Sequence, residues 1–193
     1  MKKGHFFIIW WVAGAGKWTL TWNLRKLNRE DFYFPLSYIT RKPRPNEEKW
    51  VYAHFITEEE FKKSIESNEF LEYAFVHKWW YYWTKANDIV KNWINAWLKV
   101  IKEMEYQWVG QIQKDKEFMT DVTTIFLDVP DEELIRRIKK RDKTISEKEV
   151  ENRLESAKKE RKFWKKADYK IITTITKEEV LKKALEIINK HNK

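Results

Sequence analysis

The sequence predicts an α/β chain built on a parallel sheet with helices on both faces, and three observations predict it. Short apolar runs rich in Val, Ile, Phe and Trp read as strands buried on both sides, and they alternate along the whole length with stretches of helical spacing. Helix-opening boxes stand at Thr57-Glu58-Glu59-Glu60, Ser146-Glu147-Lys148-Glu149 and Thr176-Lys177-Glu178-Glu179, each a hydroxyl residue three positions before a glutamate. The first apolar run leaves through a glycine turn directly into a helix, the order of parts from which parallel sheets are built. No internal repeat, low-complexity tract or long linker divides the 193 residues, so one domain with room for small inserts is expected.

In chain order, the spacing predicts a strand over about 5 to 11, a helix over about 16 to 28 and a short strand from Phe34 to Thr40. Arg41-Lys42-Pro43-Arg44-Pro45 follows. Its prolines keep three cations on an extended arm, suited either to a phosphate or to a basic surface turn. The box at Thr57 opens a helix to about Ser67, and Glu69 to His77 alternates as a strand. Lys78-Trp79-Trp80-Tyr81-Tyr82-Trp83-Thr84 reads either as a buried strand or as a stacking platform for bases. A helix from Thr84 to about Ala96, a core strand from Leu98 to Met104 with Glu103 and Glu105 near its end, and a helix over about 107 to 117 come next. Val122 to Val129 is a buried strand, and Pro130 and Asp131 start a helix containing Arg136, Arg137 and Arg141. The box at Ser146 opens a long helix that carries Arg153 and ends near Lys166. Tyr169 to Thr173 is a last short strand, and the box at Thr176 opens an amphipathic helix with Val180, Leu181, Ala184, Leu185 and Ile188 on one face.

The chemistry concentrates at residues 5 to 24. There an apolar strand enters Ala13-Gly14-Ala15-Gly16-Lys17 and leaves as a helix, the layout of a loop whose backbone N–H groups curl around phosphate oxygens. Gly16 and Lys17 match the G-x-x-x-x-G-K-[ST] pattern and Gly14 adds a glycine within its variable span, while Trp11 and Trp18 stand where it asks for glycine and for serine or threonine. An indole donates one hydrogen bond and accepts none, so Trp18 cannot ligate a hard cation. Thr19 carries a hydroxyl one residue on, but one helical step turns it roughly 100° away.

Lys and Arg outnumber Asp and Glu by 39 to 30, a net charge of +9 that favours anionic partners. The absence of cysteine excludes disulfide frameworks and thiolate chemistry, and the four histidines lack metal-site spacing. No run reaches the length of a membrane span and no signal-peptide pattern opens the chain, so a soluble, cytoplasmic protein is expected. Twelve tryptophans against four glycines invert the usual balance: large residues stand where small ones are ordinarily found.

Several segments together carry a family resemblance. Ile8 to Leu20 resembles a strand and loop of the form I-S-G-P-S-G-A-G-K-S-T-L, and Thr40 to Pro45 with Glu47 resembles an arm T-R-x-P-R-x-G-E. Glu60-Phe61 through Asn68-Glu69-Phe70-Leu71-Glu72-Tyr73-Ala74 is similar to E-F…G-E-F-L-E-W-A, and Tyr81-Tyr82-Trp83-Thr84 to Y-Y-G-T. Val100 to Trp108 resembles a strand ending L-D-I-D-x-Q-G, and Arg153 to Ala157 resembles R-L-x-x-A. These are motifs of the guanylate kinase family, which moves a phosphoryl group from ATP to GMP. The resemblance implies a three-layer α/β/α P-loop sheet with a small GMP-binding β insert and a helical lid. The core would comprise about 1 to 33, 98 to 135 and 167 to 193, the GMP-binding region about 34 to 97 and the lid about 136 to 166.

The same resemblance implies roles. Ala13, Gly14, Ala15, Gly16, Lys17, Trp18 and Thr19 correspond to the ATP-binding loop, and Lys17, Arg41, Arg137 and Arg153 to the catalytic cations, with Arg141 as a further helper. Arg41, Arg44 and Tyr82 would meet the GMP phosphate, while Glu72, Ser37 and Thr84 read the guanine edge. Glu105 would organise magnesium or the GMP site. A carboxylate at Glu72 suits guanine because it accepts from adjacent N1–H and N2–H donors that adenine lacks. ATP is the implied co-substrate and Mg2+ the implied ion, although its expected protein ligand position is Trp18. Family glycines correspond to Trp11, Trp50, Trp83 and Trp108, and also to Trp79 and Trp97; family serines correspond to Trp10 and Trp18. Ala53 stands for a phosphate-binding tyrosine, and Thr173 or Thr174 for an asparagine near adenine. The substitutions cluster in the nucleotide sites. A non-catalytic scaffold that offers the former GMP pocket to a peptide or phosphopeptide is therefore the alternative to the active kinase. Single-stranded nucleic-acid binding through Trp79 to Trp83 ranks below both.

Overall fold

The computed structural model describes residues 4–43, 53–67, 70–76, 80–85, 96–104, 109 and 121–191, with backbone alone over 70–76 and 80–85. Its first strand, β1 (His5–Trp11), lies at the middle of a five-stranded sheet. The order is β2 (Phe32–Tyr33), β7 (Lys99–Glu103), β1, β8 (Val122–Asp128), β9 (Tyr169–Ile172), and every neighbouring pair is parallel. Phe6, Phe7, Ile8, Ile9 and Trp10 are all at most 1% exposed. Successive residues of a strand face opposite sides, so this unbroken burial means that both faces of the sheet are covered. Helix α1 (Lys17–Lys26) follows β1 and lies against the last helix, α5 (Lys177–Lys190), whose Val180, Ala184, Ile187 and Ile188 enter the core.

A second sheet has the order β4 (Ala53–Phe55), β3 (Ser37–Ile39), β6 (Trp80–Lys85), β5 (Phe70–Val76), with β3 parallel to β4 and antiparallel to β6. Helix α2 (Glu58–Glu66) opens on the predicted box: the Thr57 hydroxyl accepts from Glu60 N at 3.1 Å and the Glu60 carboxylate accepts from Thr57 N at 2.8 Å. Thr176 and Glu179 close the same reciprocal pair at the start of α5. At Ser146 only half of the box forms. The hydroxyl accepts from Glu149 N, but the Glu149 carboxylate takes a hydrogen bond from Arg153 instead.

Three boundaries differ from the expectation. The strand expected from Phe34 to Thr40 is confined to Ser37–Ile39, because Pro35 has no N–H to give a ladder, and the two-residue β2 precedes it. Thr84 does not begin a helix: Thr84 and Lys85 complete β6, in register with Glu72 and Phe70. The remainder of that helix up to residue 95, and the helix expected over 107 to 117 apart from Val109, lie outside the described residues. Helix α3 (Asp131–Arg141) starts where Pro130 and Asp131 predict, but α4 (Glu147–Lys162) stops short of Lys166. Beyond Lys162 the bonding shifts to i→i−3, with Phe163 N donating to Glu160 O and Lys166 N to Phe163 O, so Trp164–Lys166 forms a 3₁₀ turn.

Two tryptophans show what large residues cost here. Trp97 adopts φ 55°, in the left-handed region that favours glycine, a conformation that costs an ordinary L-residue about 1–2 kcal/mol. Trp10 is buried against Phe126 with ring centroids 4.6 Å apart, and its Nε1–H has no hydrogen-bond partner. Such a donor costs roughly 1–3 kcal/mol.

His5 stacks on His191 at 4.2 Å, and both rings bond the Thr123 hydroxyl, at 2.8 and 3.2 Å. Burial first, and then the neighbouring His191, lower the His5 pKa from 6.5 to about 4. The folded protein therefore resists protonating a group that the unfolded chain protonates readily. Stability from this site is complete above pH 6.5 and declines as the pH falls toward about 4. Urea midpoints taken at steps between pH 7 and 4.5 should fall, and His5→Gln should flatten that slope. Asp31 acts lower on the scale, because hydrogen bonding from Arg29 first, opposed by burial and aided by Lys99, brings it down to about 2.

Candidate functional site

The loop between β1 and α1 is built as the sequence reading anticipates. Gly14 and Gly16 take φ 87° and 88°, both left-handed, and Ala15 N folds back onto the Val12 carbonyl at 2.9 Å. A Cβ at Gly14 would come 2.5 Å from Leu134 Cδ1, and Leu134 is fully buried on α3. Gly16 is the N-cap of α1 and offers no side-chain acceptor, so the helix's first N–H groups remain directed at whatever anion the loop holds.

The loop is surrounded by charge of both signs. Lys17 Nζ reaches Glu103 at 3.2 Å and lies 3.6 Å from the centre of the Trp11 ring. Trp11 thus forms a floor under the lysine. Arg137 on α3 crosses the loop: Nη1 donates to the Gly14 carbonyl at 3.2 Å and to Thr173 Oγ1 at 3.2 Å, and Nη2 donates to the Thr173 carbonyl. Glu133 steadies it by accepting from Arg137 Nε at 2.7 Å, and hydrogen bonds from Arg136 and then Arg137 bring the Glu133 carboxyl down to about 2. Trp18, in contrast, is 62% exposed and projects outward rather than into the loop. Thr19 is half-buried beside it.

A third carboxylate reaches the loop from α4. Glu160, near the end of α4, accepts from Ala13 N at 3.0 Å. Its neighbour Arg161 pins the same end of the helix to the core, donating to Asp128 Oδ1 at 2.9 Å, Asp131 Oδ1 at 2.6 Å and the Val129 carbonyl at 2.6 Å. Burial alone would raise the Asp128 pKa, but hydrogen bonds from Lys170 and Arg161 outweigh it and hold the carboxyl below its usual range.

The other predicted residues sit on the second sheet and its approaches. Ser37 begins β3 and its hydroxyl accepts from Lys102 Nζ at 2.8 Å. Arg41 donates to the Lys42 carbonyl at 3.0 Å and lies over the Phe55 ring at 5.4 Å. The backbone register sets Glu72 opposite Thr84, and Tyr82 between Ile39 and Ala74. Arg44 and Glu105 lie outside the described residues, as do Trp50, Trp79 and Trp108. Arg153 is not gathered at the loop by its recorded pairing: it bonds Glu149, one turn earlier on α4, at 3.0 Å.

The structure adds Glu103, Glu160, Arg161 and Lys102 to the surroundings of these residues. The sequence places Glu103 near the end of its strand but gives it no role, although the end of a central parallel strand is where ligands of such sheets collect. Glu160 carries no comparable signal, since its contact joins residues 147 positions apart.

A glycine loop at the carboxyl end of a central parallel strand, with Lys17 and Arg137 beside it, defines an α/β protein that binds nucleotide phosphates. The guanylate kinase family model matches residues 3–191, and the chain belongs to that family. It is 33% identical over 172 residues to a guanylate kinase of Bartonella henselae, covering 89% of this chain and 74% of the relative. It is 35% identical over 171 residues to one of Synechococcus, covering 88% and 76%, and 31% identical over 187 residues to one of Rickettsia felis, covering 97% and 94%. In fold it is similar to a crystal structure of guanylate kinase from Anaplasma phagocytophilum, with a TM-score of 0.74 at 18% identity over 100% of this chain and 89% of that one. No helix among the described residues is long and apolar enough to cross a membrane.

Proposed function

We propose that this chain transfers the γ-phosphoryl group of ATP to the phosphate of GMP, giving ADP and GDP. A GMP phosphate oxygen attacks the γ-phosphorus while the bond to the ADP oxygen breaks. The observation that carries the reading is the intact loop geometry: two left-handed glycines, Lys17 at the head of α1 and Arg137 laid across the loop carbonyl. In this reading residues 13 to 19 form the loop around the ATP phosphates: Ala15 N keeps its bond to the Val12 carbonyl, the Ala13 amide exchanges Glu160 for a phosphate oxygen, and Lys17 leaves Glu103. Arg137, Arg153 and Arg41 neutralise charge on the transferring oxygens, where positioning and electrostatics supply most of the catalysis. Arg41, Arg44 and Tyr82 hold the GMP phosphate, and Ser37, Glu72 and Thr84 read its base; the pairing of Glu72 opposite Thr84 supports a shared guanine site.

Magnesium belongs to the ATP substrate in this account. The loop's own residues do not fit a resident ion, because Trp18 presents an indole with no acceptor and the Thr21 hydroxyl is turned back to donate to the Lys17 carbonyl. A coupled phosphotransfer assay with ATP, magnesium and GMP, beside calorimetric titrations of GMP and ATP, tests the reading. GMP-dependent formation of ADP and GDP is expected, with far slower ATP consumption when AMP replaces GMP. Binding of GMP without turnover would overturn the kinase reading and favour the non-catalytic scaffold.

A further inference from the structure

We infer that Lys102 is a positioning residue for base choice: it occupies one lone pair of the Ser37 hydroxyl, biases that hydroxyl toward donating, and so favours a 6-oxo purine over a 6-amino purine. The inference rests on the proposed placement of Ser37 at the guanine edge.

Lys102 is out of pattern. It sits on β7, beside β1 in the core sheet, among buried Val100, Ile101 and Met104, and is itself only 4% exposed. A buried ammonium is costly unless oxygens surround it, and here its Nζ donates to the Pro35 carbonyl at 3.0 Å and to Ser37 Oγ at 2.8 Å. Both acceptors lie where the chain leaves β2 in the core sheet and enters β3 in the small sheet. Lys102 thereby fixes the junction between the sheets as well as one hydroxyl.

The direction of the bond to Ser37 is not open to choice. An ammonium has three donors and no acceptor, so one of the hydroxyl's two lone pairs accepts from it, leaving the hydroxyl its proton and a single lone pair beside a cation. Guanine offers O6 as an acceptor, where adenine carries an N6 amino group that donates. A hydroxyl biased toward donating, with a cation behind it in a water-poor setting, suits the partly negative O6. The amino hydrogens of adenine would instead bring positive charge toward Lys102. Burial strengthens the distinction, because little water is present to screen it.

Lys102→Met keeps the length of the side chain and removes the charge. With the full chain, the KM for GMP should rise about tenfold, the scale of one charged hydrogen bond, while the KM for ATP stays level and kcat moves far less. The preference for GMP over AMP in kcat/KM should fall by a similar factor. Ser37→Ala should show the same loss of preference, and the double variant should be no worse than the more affected single one. Multiplicative losses in the double variant, or equal losses for GMP and AMP, would overturn the inference while leaving the kinase reading intact. If Lys102→Met fails to fold by circular dichroism, Ser37→Ala decides alone, and an unchanged GMP-to-AMP preference in it sinks the idea. A wild-type protein that neither binds nor phosphorylates GMP overturns both readings together.

Discussion

Replacing Lys17 with methionine will lower the rate of phosphoryl transfer by on the order of 10²- to 10³-fold, the loss seen when one preorganised donor is removed from a developing charge. The expectation follows from position and from the lysine's present partners. Lys17 opens α1, so its ammonium and the first amides of the helix serve the same anion. In the structure it is shared between Glu103 and the Trp11 ring, both of which hold it close to the loop without consuming all three of its donors. In the proposed reaction, ATP would exchange that one carboxylate for several phosphate oxygens. The cost to folding should be small: side chains at Lys17 and Glu103 are 22% and 26% exposed, and a pair with access to water contributes little. Stopped assays of the purified variant against a melting curve separate the two effects. Unchanged turnover with a lowered melting temperature would show the lysine to be a structural residue only.

Gly14→Val should instead strike the fold and the loop together. The residue sits at φ 87°, where a β-branched side chain is a severe outlier, and the added Cβ meets Leu134 Cδ1 at 2.5 Å. That methyl belongs to a fully buried side chain, so it cannot swing into solvent to make room. Backbone strain and overpacking each contribute about 1–3 kcal/mol. For a chain of this length the melting temperature should drop by roughly 5 to 15 °C. Gly16 provides the internal comparison. Its φ is 88°, yet an added Cβ would meet only Arg137 Nη1 at 3.9 Å, an ordinary contact. Gly16→Val should therefore lose less stability than Gly14→Val. Equal losses at the two positions would mean that strain alone, and not the clash with α3, governs the loop.

What could be read from the sequence divides along the range of the interactions. The strand over His5–Trp11, the glycine turn and the helix that starts at Lys17 are written in adjacent residues, and their limits come out of the sequence almost unchanged. The reciprocal caps at Thr57 and Thr176 are equally local. The cap at Ser146 shows the limit of that logic: the same spacing occurs, but Arg153 one turn along the helix competes for the Glu149 carboxylate and wins it. Side chains that answer to distant partners were not legible. Nothing near Lys102 in the chain says that it will hold Ser37, 65 residues away, and nothing near Glu160 points to the Ala13 amide. The tryptophans fall between these cases. Their mismatch with glycine was visible at Trp97 as a pattern, and the left-handed backbone there is its physical form. The exposure of Trp18 was not foreseeable, since how much of an indole water reaches is set by tertiary packing and not by its neighbours in sequence.

Helix α4 is clamped hardest at its C-terminal base, while nearer its start Val150 is buried in the core. Glu160 ties its base to the phosphate loop, Arg161 clamps that base to Asp128, Asp131 and the Val129 carbonyl, and the opposite end is met by the exposed pair of Glu147 and Lys139. Sixteen helical residues span roughly 24 Å. A tilt of only about 10° at the fulcrum would then carry the tip through about 4 Å by simple geometry. Because Val150 near the tip is buried, such a tilt would have to lift that side chain from the core, so the packing at Val150 sets how far the arm could swing.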